Sequence, residues 1–422
     1  MADQDVDIKL LQGVFDGNMR GVEAALASGA SVDGPSWLPC SPIAGAAAMN
    51  KVKIANLLIG RGADPARPAS QEVPCPGWDL AIMPGERALH TAAMRGHVEI
   101  VRSLLKRAHA DPNATDRTGC TALLLACACP SYRMEVVRLL LEAGADPALA
   151  ESHGYNPLHL VAQKGHIDLV DMLYKAAPTA LNRYSSGGET PLSVACSHDF
   201  EGVAIRLLRL GAVQRMPVTH GCMLPLAAAA EKGYEGVVRI LLNEGFEAVG
   251  GTATLPMSLH RAVCYRRPRI LRMLLAVSGK QSQPVWASIA LEGRSLLHYG
   301  AGHCCPASVN VLLKAGASAA TRDTRGRTPA KVIGADLGLE RLRMDGGKKV
   351  AIRRMLEQGQ AYRARSWAWP TKEAGGGGDG GGAVPSSSPA APKLPVGLKI
   401  FRPENNSRRV FVNAIGRYCA KD

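Results

Sequence analysis

Aromatic side chains are scarce in this sequence: Phe, Trp and Tyr make up 5% of 422 residues, although 46% are hydrophobic. Burial therefore falls to Ala, Leu and Val, which suits thin layers of closely spaced helices. Long apolar runs are missing as well. None approaches the roughly 18 residues that a membrane-spanning helix needs. The acidic start, MADQDVDIKL, lacks the basic-then-apolar layout of a secretory signal. A soluble protein of the cytoplasm is the expectation, with the nucleus as the alternative.

Signatures of metal and catalysis are also absent. The 11 cysteines never show the paired two-residue spacing of a zinc ribbon or finger. The closest pairs are Cys127 with Cys129 and Cys304 with Cys305, and His303 beside the latter is the nearest hint of a ligand set. Small buried thiols in a reducing compartment explain them better. GGGGDGGG lacks the Lys-Ser and the helix that complete a phosphate loop. No nucleophile elbow, kinase signature or zinc-protease helix occurs. No metal, no cofactor and no enzyme activity are expected.

What the chain does have is a phrase that returns about every 33 residues, the mark of a repeat array. It reads ERALHTAAMRGHVEIVRSLLKRAHADPNA at Glu86–Ala114, NPLHLVAQKGHIDLVDMLYKAAP at Asn156–Pro178 and ETPLSVACSHDFEGVAIRLLRLGA at Glu189–Ala212. Weaker copies begin at Leu10, Ser41, Asp116, Leu224, Ser258, Ser295 and Asp323. Each copy predicts two helices and a turn. Pro157 and Pro191 suit a first helical turn, where no amide donor is lost. Asn156 and Thr190 just before them predict N-caps. Gly96 and Gly165 predict left-handed helix ends. Val136–Leu141 supplies the apolar stripe of an outer helix.

This pattern resembles the ankyrin repeat from about Leu10 to Gln358. The resemblance implies an all-α ankyrin-repeat solenoid, an elongated right-handed stack of about ten helix-turn-helix units with short hairpin loops. It also implies a monomer that binds other proteins on hairpin fingers and on the exposed side of the first helices. Residue by residue, that face falls on Met94 and Arg95, Gln163 and Lys164, Ser197 and His198, Glu231 and Lys232, and Cys264 and Tyr265. The finger positions are Arg117, Thr118, His153, Tyr155, Ser186, Glu189, Arg325 and Arg327. His90, His159, His260 and His298 share one slot, whose imidazole ties adjacent turns in this family. Units six, eight and nine depart from the pattern, with Asp199-Phe200 replacing Gly-His and the opening Pro missing from the last two.

Charge divides the chain unevenly. The net charge is +14, and the stretch after Glu340 holds 16 Lys or Arg against 6 Asp or Glu. Five arginines also crowd Arg261–Arg272, and Arg353, Arg354, Arg363 and Arg365 lie near Trp367 and Trp369. The expected divisions are 7–358 for the array, 359–372 for a Trp-containing capping segment, 373–394 for a flexible Gly/Ser/Pro linker and 395–422 for a basic end. Lys399–Phe401 and Arg409–Val412 have the makings of a hairpin. A non-enzymatic adaptor or scaffold is the leading function. The alternatives are a nucleic-acid or acidic-lipid binder acting through the basic C-terminal region, and a ubiquitin-ligase substrate receptor. Leu394–Asp422 matches no recruiting box.

Overall fold

The computed structural model describes residues 2–73, 82–129, 134–212, 224–243, 251–278, 290–291, 293–334 and 346–363. Two units divide it, the first running to Trp286 and the second beginning at Ala287. The linker, the tryptophan segment beyond Arg363 and the C-terminal hairpin lie outside the described residues. So do the lengthened turn at 130–133 and most of the connection around Trp78.

In the first unit inner and outer helices alternate. The inner series is α1 (Ala2–Asp16), α3 (Pro42–Ala48), α5 (Ala88–Arg95), α7 (Ala122–Ala128), α9 (Pro157–Lys164), α11 (Pro191–Ser197), α13 (Pro225–Lys232) and α15 (Gly251–Cys264). The outer series is α2 (Met19–Ala27), α4 (Val52–Gly60), α6 (Val98–Lys106), α8 (Met134–Glu142), α10 (Ile167–Ala176), α12 (Glu201–Arg209), α14 (Glu235–Asn243) and α16 (Pro268–Ser278). Inner packs on next inner, and outer on next outer, from one end of the unit to the other. Small side chains permit the close inner approach: every residue of α3 and of α7 is buried. The outer helices bury one stripe, such as Ile100, Val101 and Leu104 of α6, and leave the other face wet.

The second unit holds a two-residue β-pair, β1 (Ala290–Leu291) with β2 (Arg294–Ser295), then α17 (Leu296–Gly302) and α18 (Pro306–Lys314). Where the tenth repeat predicts a first helix, Pro329–Val332 forms a short 3₁₀ turn. Its partner α19 (Gly346–Arg363) continues past Gln358 to Arg363. The eighth repeat also differs: α15 starts at Gly251, seven residues ahead of the expected Ser258.

Buried histidines hold the turns. The Nδ1 atoms of His90, His159 and His298 accept from the amides of their own N-caps, Arg87, Asn156 and Ser295, at 3.2–3.3 Å. Their Nε2 atoms reach the next turn, at the carbonyls of Cys120 (3.1 Å), Glu189 (3.0 Å) and Arg327 (2.9 Å). Nε2 must therefore be the donor to those carbonyls. At His260 the N-cap half of the tie is missing. Because its helix begins earlier, no N-cap amide stands three residues before it, and its Nε2 lies 3.4 Å from the Cys264 sulfur.

Full burial of His159 lowers its pKa to about 4 from 6.5. A depressed folded pKa means stability present above pH 6.5 and lost as the pH falls through 4, at most about 3 kcal/mol for a shift of this size. Glu86 works the other way, since burial raises its pKa to about 7. The measurement is thus a difference: urea unfolding at pH 7 and pH 4 should show a smaller acid loss for His159→Gln than for the wild type. Equal losses would remove His159 as a source of acid sensitivity.

Candidate interaction surface

The loops between repeats form fingers, each built on a buried acceptor at its base. Asp116 Oδ1 accepts from the amides of Thr118 (2.8 Å) and Cys120 (2.9 Å). Glu151 does the same for His153 (2.9 Å) and Tyr155 (3.2 Å). In the second unit Asp323 Oδ1 holds the amides of Arg325 (2.9 Å) and Arg327 (2.8 Å). Ser185 is the short version, taking the Glu189 amide at 3.1 Å. Adjacent fingers are then stitched by backbone bonds: Ser152 N donates to Thr118 O at 3.0 Å, and Ser186 N to His153 O at 2.7 Å.

On this frame the expected contact residues take unequal positions. Arg117, Ser186 and Arg325 are exposed, while Thr118, His153, Tyr155, Glu189 and Arg327 are half-buried. Tyr155 donates its hydroxyl to Glu189, and burial together with that carboxylate pushes its pKa up. Arg327 spends its guanidinium on Asp323 at 2.9 Å. Gln163 and Lys164 stand half-exposed at the end of α9. Ser197 and His198 bond back to carbonyls of their own helix, Ser193 (2.9 Å) and Val194 (3.0 Å). Glu231 receives Arg261 at 3.0 Å, and Lys232 reaches Asp199 at 2.8 Å. Tyr265 is half-buried beside that pair, its pKa raised by burial and then by Glu231.

Met94 and Arg95 are not on the surface. Met94 is 1% exposed and packs with Cys120, Leu125 and Cys129. Arg95 is 5% exposed and donates to the Ala48 carbonyl at 2.7 Å, at the end of the preceding inner helix. The slot that faces solvent in α9 is enclosed in α5. An arginine there neutralises the carbonyl end of a neighbouring helix dipole.

That use of a side chain recurs one slot along. His97 bonds the Ala47 carbonyl (2.7 Å), His166 that of Cys129 (3.0 Å) and Arg267 that of Glu231 (3.2 Å). Each reaches the end of the preceding inner helix. In this slot, two residues before the outer helix begins, the chain turns left-handed, as at Gly96, Gly165 and Gly233. Four repeats put a side chain there instead: Asn50 at φ 53°, Asp199 at φ 67°, Arg266 at φ 56° and, in the second unit, Cys304 at φ 50°. Such a residue costs roughly 1–2 kcal/mol relative to ordinary backbone. Asp199 recovers part of it by holding Lys232 and the Tyr234 hydroxyl, the latter at 3.2 Å.

Among the described residues no group of three or more His, Cys, Asp or Glu is placed to hold a metal ion. The described cysteines are buried. Burial raises the thiol pKa of Cys120, Cys196 and Cys264 to about 12 and that of Cys127 further, which removes them as nucleophiles. No described helix is long and apolar enough to cross a membrane.

Short inner helices, hairpin fingers and histidine ties define a class of stacked helical repeat, and comparison with known proteins names it. Residues 43–151 and 128–216 match the sequence profile for ankyrin repeats (3 copies). The chain is an ankyrin-repeat protein. It is 31% identical over 164 residues to the ankyrin repeat and KH domain-containing protein mask-1 of Caenorhabditis elegans, covering 39% of this chain and 6% of that protein. Over 258 residues it is 27% identical to the E3 ubiquitin-protein ligase KEG of Arabidopsis thaliana, covering 58% of this chain and 16% of the relative. The human ankyrin repeat and SOCS box protein 16 is 31% identical over 254 residues, 55% of this chain and 51% of its own length. The chain thus spans from 6% to about half of the relatives it matches. Ankyrin repeats are protein–protein interaction modules, and the family is generally not enzymatic.

Replacing Asp116 by Ala strands two amides at the base of a finger and should cost about 2 kcal/mol. Arg117→Ala, at the exposed tip beside it, should change stability by less than about 0.5 kcal/mol. Thermal melts of the two variants check this. Equal shifts would show that the finger does not depend on its buried acid.

Proposed function

We propose that this protein is a non-enzymatic adaptor that binds partner proteins through its fingers and the exposed ends of its inner helices. One contrast carries the reading. The buried ties repeat from unit to unit, yet the solvent-facing slots they support differ in every one. Arg117, His153 and Ser186 occupy successive fingers; Gln163-Lys164, Ser197-His198 and Glu231-Lys232 occupy successive helix ends. A rigid frame with variable tips keeps the ordering cost of binding low and leaves specificity to the tips. Met94 and Arg95 have no part in this surface.

A second reading, a substrate receptor of a ubiquitin ligase, draws on the names of two relatives, one a ubiquitin-protein ligase and the other a SOCS box protein. It uses the same surface for the substrate and assigns recruitment to the C-terminal stretch, which lies outside the described residues.

The test is affinity capture from native lysate with the full chain and with Arg117→Glu/Lys164→Glu/Ser186→Glu. Recovery of the proteins held by the wild type should fall roughly tenfold, since a few central side chains dominate an interface. The melting temperature should be unchanged. Undiminished recovery by the variant would overturn the finger surface as the binding site. Ligase subunits among proteins that a chain ending at Arg363 fails to retain would favour the second reading.

A further inference from the structure

The eighth repeat breaks the charge pattern of its neighbours. From α6 to α14, each outer helix carries an acid in its first turn: Glu99, Glu135, Asp168, Glu201 and Glu235. α16 carries none. Residues 251–278 hold five arginines and no Asp or Glu at all. Two of these are engaged inward, with Arg261 on the Glu231 carboxylate and Arg267 on the Glu231 carbonyl. Arg269 stands 3.7 Å from Glu235 with a side chain 75% exposed. Arg266 and Arg272 are exposed, and their side chains make no ion pair or hydrogen bond among the described residues. Arg239 of α14, which packs against α16, is equally free.

Arg266 is the telling member. It fills the left-handed slot that glycine fills at Gly96, Gly165 and Gly233, so the side chain brings backbone strain. Asp199 in the same slot holds two neighbours, whereas Arg266 holds none. An exposed side chain that strains the backbone and stabilises nothing within the chain is best explained by a contact outside it. The uncompensated charge beside it gives the sign of that contact.

We propose that Arg266, Arg269, Arg272 and Arg239 form a docking ledge for an acidic, Asp/Glu-rich peptide segment of a partner protein. The class of partner rests on the protein-binding reading; the site is separate from the fingers. A planar guanidinium pairs a carboxylate in bidentate fashion, which favours arginine over lysine in such a ledge. Tyr265, half-buried, immediately precedes Arg266 in the chain and offers apolar contact of the kind that peptide interfaces favour. Its width argues against nucleic acid. The outer helices that follow one another towards the start of the chain, α14 and α12, bring acids in their first turns, Glu235 and Glu201, which oppose an extended polyanion. A short acidic segment fits within one repeat.

The probe is a fluorescent oligoglutamate peptide, with an oligoglutamine peptide, a single-stranded oligonucleotide of equal charge and phosphatidylserine vesicles as comparisons. The protein is the full chain, wild type, Arg266→Glu/Arg272→Glu and Arg266→Gly. Oligoglutamate should bind and oligoglutamine should not. The double reversal should weaken binding roughly tenfold or more at moderate salt. Arg266→Gly should weaken it by several-fold while raising the melting temperature, a combination that a merely structural arginine does not give. Arg353→Glu/Arg354→Glu, in the other unit, should leave binding unchanged.

Absence of oligoglutamate binding, or binding indifferent to Arg266 and Arg272, would overturn the ledge. Tighter, Arg266-dependent binding of the oligonucleotide or the vesicles would overturn the peptide as its occupant. The finger variant keeps the two proposals apart. Loss of lysate partners there with an inert ledge sinks only this inference; a working ledge with fully functional finger variants sinks only the finger surface.

Discussion

Every helix leaves four amides and four carbonyls without partners inside itself. In a helix of seven or eight residues, the length of most inner helices here, that deficit is comparable to the helix itself. The inner helices are also enclosed on nearly all sides, so water cannot make it good. Their ends must be answered by side chains, and much of the fold is the set of those answers. Ser41, Asn156 and Thr190 cap the starts. Arg95, His97, His166 and Arg267 cover carbonyl ends one repeat back. The buried histidines link each opening to the next turn.

This explains why structure and surface separate so cleanly. Side chains that answer backbone groups sit in slots fixed by geometry, and a change there exposes a buried donor or acceptor. A finger tip such as Arg117 answers nothing essential, so its identity is unconstrained by folding. Between the two lie the half-buried pairs Tyr155–Glu189 and Glu231–Arg261 and the exposed pair Lys232–Asp199, which link adjacent repeats across the surface. A partner that contacts those pairs also touches the register of one repeat on the next.

Much of this was legible in the letters. Asn156 reads as a helix cap in the letters, the family resemblance implies an imidazole tie three residues on, and the structure has those ties at His159, at His298 behind Ser295, and at His90, where Arg87 holds the cap position. The left-handed glycines after α5, α9 and α13 follow from their places in the phrase. The misses share one cause, that a slot is defined by its neighbours as well as by its own repeat. Met94 and Arg95 occupy the slots of Gln163 and Lys164, yet Cys120, Leu125, Cys129 and the Ala48 carbonyl close over them. His260 stands in the histidine slot, but a helix that begins at Gly251 takes away the amide it would accept. The acids beneath the fingers, Asp116 and Glu151, carried no signal beyond preceding a Gly by three residues. Asp199-Phe200 was visible as a departure, and the backbone angles add Arg266, which the letters did not mark.

The spacing of the ties has a consequence for how such a chain changes over generations. Ser152 to Thr118, Ser186 to His153, Lys232 to Asp199 and Arg206 to Asp171 each reach back by close to one repeat. Duplicating or deleting a whole repeat therefore returns the backbone donors, such as those of Ser152 and Ser186, to a backbone carbonyl. One residue inserted within a helix turns everything beyond it by about 100° and leaves the donors facing the wrong way. Length in this protein is in effect quantised.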